Sequence, residues 1–76
     1  MPSTAASQQA PSVSPPKHPL PAMTTYELRD YRRDLETAIA FFDRQTPVPP
    51  ARDRLRAKLD DVIAEQDDRA RIAAHA

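Results

Sequence analysis

Three prolines at positions 47, 49 and 50, inside "TPVPPARDR", divide two runs of charged and apolar residues that otherwise share one periodicity. Pro47 and Pro49 disfavour helical geometry at Thr46 and Val48, the residues before them. Pro50 suits a first helical turn, where a missing N–H leaves nothing unpaired. The stretch therefore ends one helix and starts the next. A loop of about five residues between two helices favours antiparallel neighbours. The sequence thus predicts an all-α fold, an antiparallel two-helix hairpin over about 24–45 and 50–74. "PVPPAR" also fits the PxxPxR pattern read by SH3-type domains, but the bend accounts for the same residues without a partner.

The first helix opens at Thr24, which with Glu27 three residues on has the form of a capping box. Leu28, Tyr31, Leu35, Ala38 and Phe42 follow at alternating spacings of 3 and 4, which stacks them along one face as a coiled-coil-like seam. Ile39 and Phe41 flank that seam, so "AIAFF" is apolar nearly all round the helix and calls for cover on more than one side. In the second run Leu55, Leu59, Val62 with Ile63, Gln66, Ala70 and Ala73 form a matching stripe. Pairing Phe42 with Leu55, Ala38 with Leu59, Leu35 with Val62 and Tyr31 with Gln66 gives a constant index sum of 97, as an antiparallel hairpin requires. In that register Phe42 lies in the core beside the turn, Phe41 projects to the flank, and the Tyr31 phenol meets the Gln66 amide.

Upstream of Met23 the composition changes to Pro, Ser, Ala and Gln, with no acidic residue and only Val13 and Leu20 as sizeable aliphatics after Met1. Such a segment buries too little apolar surface to offset the entropy of ordering it, so residues 1–22 are expected to be a disordered leader and 23–76 the hairpin. Its stretch "PSVSPPKHPLP" would favour an extended, polyproline-like chain able to enter an aromatic groove. Met23, followed by two threonines, also offers a second translation start, which would make the leader dispensable.

The 76 residues leave room for one small domain, and the absence of cysteine removes disulfides, thiolate zinc sites and a thiol nucleophile. His18 falls in the leader and His75 beside the C-terminus, so neither is held as a general base must be. No enzyme activity, cofactor, metal or small-molecule substrate is expected. Asp61, Glu65 and Asp68 share one helical face, but the Glu-x-x-His element of di-metal bundles is missing, and a solvated face is the reading adopted. Glu65 with Arg69 and Asp67 with Arg71 have the i, i+4 spacing of surface ion pairs. No apolar run is long enough to span a membrane and no secretory signal is present, so the expected location is cytoplasmic and no membrane contact is foreseen.

Two helices of this size make a marginal monomer, and self-association is the simplest remedy. Packing through Ile39, Phe41, Phe42, Leu59, Val62 and Ile63 would join two hairpins into a four-helix bundle, or seat another helical protein. The chain is accordingly expected to be a non-catalytic interaction or regulatory protein. The alternative is a nucleic-acid-associated accessory factor in which Arg29, Arg32, Arg33, Arg52 and Arg56 contact phosphates. Against it, Asp30, Asp34, Asp60 and Asp61 interleave with these cations and 11 basic residues balance 11 acidic ones. The basic block followed by an acidic run from Asp60 to Asp68 suits a dipolar surface that orients a protein partner.

"TTYELRDYRRDLETA" and "VIAEQDDRARIA", with arginine far outnumbering lysine, resemble short helical proteins of actinobacteria that carry no assigned function. The resemblance spans about residues 23 to 74 and implies a source and a helical fold, with no site residue to carry over. Paired charged helices after a flexible leader are also similar to the docking segments that join polyketide synthase chains. This resemblance implies a further alternative, a docking segment for a larger enzyme assembly.

Overall fold

The computed structural model describes residues 11 to 75. Two helices make the hairpin, α1 (Thr25–Asp43) and α2 (Ala51–His75), and a short 3-10 turn (Leu20–Ala22) precedes them. No strand occurs among the described residues. The helix boundaries fall within two residues of those the sequence predicts.

The start of α1 forms as its sequence dictates. The Thr24 hydroxyl accepts a hydrogen bond from the Glu27 amide at 3.1 Å, and the Thr24 amide donates to Glu27 Oε1 at 2.7 Å, so both partners of the capping box are in place. Met23, the residue before the cap, and Leu28, the fourth helical residue, belong to the same buried cluster. They form the hydrophobic staple that fixes how the chain enters the helix. At the other end the Arg44 and Gln45 amides donate to the carbonyls of Phe41 and Phe42, and the chain leaves the helix. The Thr46–Pro47 peptide bond is cis. The carbonyls of Pro49 and Pro50 then accept from the Arg52 and Asp53 amides, which starts α2 immediately behind the prolines.

The core is the seam between the helices: Leu28, Leu35, Ala38 and Ile39 from α1 face Leu59 and Val62 from α2. Leu35 and Val62 are fully buried, as the antiparallel register requires. The cross-helix contacts between Arg32 and Gln66 and between Arg52 and Asp43 fall within about two positions of that register. α2 is the longer helix and runs past the start of α1, and Ile72, level with that start, is 62% exposed.

Four expectations are corrected. Ile39, expected on the flank, is buried in the seam, because it lies one turn beyond Leu35 and points at the same partner. Phe42, expected in the core against Leu55, is only partly buried and stands outside the core cluster. It occupies the last turn of α1, where the hairpin interface ends. Ala70 and Ala73 are both exposed. Continuing the spacing of α2 from Val62 through Gln66 lands on Arg69, which takes the seam position beside Ala70, and Ala73 lies level with the start of α1.

The fourth correction concerns the leader. Residues 1–10 lie outside the described residues, so for them the expectation stands untouched. From Pro11 to Ala22 the chain lies against the hairpin, with Val13 and Leu20 partly buried on the core cluster. A two-helix seam leaves an apolar flank along each helix, and these two aliphatic side chains are enough to occupy one of them.

Candidate functional site

Of the six residues expected to form a protein interface, three are interior to the hairpin: Ile39 is 6%, Leu59 8% and Val62 0% exposed. Presenting them to a partner would require opening the core. Ile63 is partly buried and leans on the same cluster. Phe41 and Phe42 remain, partly exposed, with their rings edge to face at 5.5 Å between centroids and 82° between planes. Beyond them the loop presents Val48, 39% exposed, between Pro47 and Pro49. Apolar surface is thus offered at both ends of the hairpin, by Phe41, Phe42 and Val48 at the loop end and by Tyr26, 70% exposed, and Ile72 at the open end, and only at the loop end do two aromatic rings pack on each other.

The cations expected to meet phosphates are mostly engaged. Arg32 donates through Nε to Glu36 at 3.2 Å and through Nη1 to Gln66 Oε1 at 2.8 Å, bridging the two helices. The Gln66 amide is thus engaged by Arg32, and the expected contact with the Tyr31 phenol is not among the hydrogen bonds of the described residues. Arg33 lies 3.6 Å from Asp30 and 3.9 Å from Asp34. Arg29 is 3.5 Å from Asp30 and covers the Tyr26 ring at 5.2 Å. Arg52 Nε approaches Asp43 Oδ1 to 3.2 Å, an ion pair whose N–H is aimed away from the oxygen, so the buried Nε has no hydrogen bond. Arg56 has no ion-pair partner among the described residues, nor do Arg54 and Lys58 close to it in sequence.

A comparison with protein-family models, with curated proteins and with solved structures finds no match to this chain. The chemistry of its site has to be read from its own residues. His18 and His75 are both exposed, and no group of three or more His, Cys, Asp or Glu able to hold a metal ion occurs among the described residues. Arg71 pairs with Asp68, one residue on from the expected Asp67, while Glu65 and Arg69 pair as expected at 2.9 Å. No helix of the described residues is long and apolar enough to cross a membrane.

Arg69 does more than pair with Glu65. Its Nη2 donates to the carbonyls of Met23 at 2.7 Å, Leu20 at 3.1 Å and Pro21 at 3.3 Å, tying the 3-10 turn and the approach to α1 onto α2. The sequence held the signal: the alternation of 3 and 4 places Arg69 on the seam, and a proline-rich leader offers carbonyls without matching N–H groups. Two shifts in acidity report this end of the molecule. Burial pushes the Tyr31 phenol above its ordinary value, and the Asp61 carboxylate adds to the effect. The backbone and side-chain hydrogen bonds of Thr24 hold the Glu27 carboxyl below its ordinary value.

Proposed function

We propose that this chain is a small non-catalytic interaction protein that docks through the loop end of its hairpin, with a second copy of itself as the partner. The observation that carries the reading is the Phe41–Phe42 pair, two aromatic side chains packed on each other and outside the core. Aromatic groups desolvated at the centre of an interface supply most of its binding energy. Val48 and the prolines of the loop extend the apolar surface with little conformational freedom to lose on binding. The pairing of cations with neighbouring carboxylates leaves no strong net field to resist association of like copies. Two hairpins joined in this way make a closed, twofold four-helix assembly.

Sedimentation equilibrium tests it. The wild-type chain should be a dimer at high micromolar concentration, and Phe41→Ala should shift it towards monomer while far-UV circular dichroism stays helical. A monomeric wild type, or wild-type dimerisation in Phe41→Ala, overturns the homodimer. The same face then belongs to a different helical partner, of the kind a docking segment in a larger assembly would meet. The exposed Arg54, Arg56 and Lys58 favour a second reading, association with DNA or RNA. It requires an affinity that collapses steeply as salt is added.

A further inference from the structure

The segment from Val13 to Ala22 lies on the hairpin as a bound peptide lies on a receptor. Its two aliphatic side chains, Val13 and Leu20, rest on the core cluster. Between them Pro16 and His18 line a recess together with Tyr31, Lys58 and Asp61, and the raised pKa of Tyr31, caused first by burial, agrees with that cover. At the far end the Arg69 guanidinium collects the carbonyls of Leu20, Pro21 and Met23, while Glu65 fixes its orientation through Nε.

Main-chain carbonyls are what a proline-rich segment presents in surplus, because Pro19 and Pro21 contribute acceptors and no donors. A guanidinium reads such carbonyls through rigidly placed N–H groups and needs no particular side chain beside them. Charge selects in the same direction. Residues 11–22 carry Lys17 and His18 and no carboxylate, and the hairpin surface beside Ser14 to Lys17 presents Glu27, Asp30 and Asp34. The seam of Leu35, Ala38, Ile39, Leu59 and Val62 is supplied by α1 and α2 themselves, so the hairpin does not need the segment to define its register.

The geometry points to the groove headed by Arg69 as a recognition site for proline-rich, non-acidic segments that carry an aliphatic residue just ahead of a proline turn. In this chain residues 13–22 fill it in cis, as a detachable strap. A partner with such a segment competes with the strap, whose tether keeps it at an effective concentration in the millimolar range.

The test uses the full chain carrying Val13→Ser and Leu20→Ser, which removes both aliphatic anchors of the strap and leaves the groove intact. The probe is a synthetic peptide copying residues 11 to 22. The variant should remain helical by circular dichroism in the cold, and the peptide should shift the Tyr31 ring resonances saturably at concentrations up to about 2 mM. Adding Arg69→Gln to the variant should weaken that binding roughly tenfold, and a probe with its own Leu20→Ser should not bind. Loss of helicity on releasing the strap would overturn the proposal by making the segment a fixed part of the core. So would the absence of a saturable shift, an affinity indifferent to Arg69→Gln, or equal binding of the serine probe. None of these outcomes bears on the loop end, whose reading stands or falls with the sedimentation of Phe41→Ala.

Discussion

The two ends of the hairpin are built from similar apolar material and treated differently. At the open end a third segment returns over the helices: Leu20 packs on the cluster, Met23 staples to Leu28, and Arg69 satisfies the carbonyls of the turn. At the loop end Phe41 and Phe42 have each other and stay outside the core, with Val48 exposed beyond them. Two helices touch along one line, so residues off that line are covered only where something else lies over them. The leader supplies part of that cover at the open end, where Tyr26 and Ile72 still stand exposed, and none of the described residues covers the aromatic pair at the loop end in the same way.

The largest expected effect sets the two ends against each other directly. Leu28→Ala removes a side chain that is 1% exposed and breaks the staple with Met23, at a cost of about 3 kcal/mol. Phe42→Ala should cost less than about half of that in the monomer, because its ring is already partly solvated. Thermal denaturation of both variants at low protein concentration decides between them, and a Phe42→Ala as damaging as Leu28→Ala would erase the difference between the ends.

Deleting residues 1–22 comes next. It removes the packing of Val13 and Leu20 and two of the three carbonyls on Arg69, and should lower stability by about 1 to 2 kcal/mol, or roughly 5 to 10 °C in melting temperature. The helical signal per molecule should survive in the cold. An unchanged melting temperature would return the leader to the flexible state that its composition suggests.

Thr24→Ala removes the hydroxyl that accepts from the Glu27 amide and should cost about 1 kcal/mol, measured by the same melts. The smallest effect concerns the other half of the box. The Glu27 carboxyl is held below its ordinary value of 4.5, so its contribution is complete above that pH and is lost as the pH falls through the lower folded value. Glu27→Gln should therefore lower the melting temperature slightly at neutral pH, and the difference from wild type should shrink as the pH falls through the lowered value of the native carboxyl. A difference that persists in acid would mean that the box acts through shape alone.

Local rules settled much of this fold. The capping box needs only Thr24 and Glu27 three residues apart, and the helix stop needs only Pro47, Pro49 and Pro50, because both act through the backbone within one turn. The register from Leu35 with Val62 outward followed from the spacing of apolar residues, which fixes which face of each helix looks for cover. What spacing leaves open is how far along that face the cover extends. Phe42 lies on the predicted seam, yet the interface ends before it encloses the ring. Ile39 was placed beside the seam, yet one turn beyond Leu35 it is enclosed. The role of Arg69 was still less legible, since its partners Leu20, Pro21 and Met23 are 46 to 49 residues away in sequence. Composition judged the leader by its own few aliphatic side chains. The tertiary structure decided otherwise because burial depends on the surface a segment meets as well as on what it brings. Here that surface was an apolar flank, headed by a guanidinium, beside the seam that the two helices form.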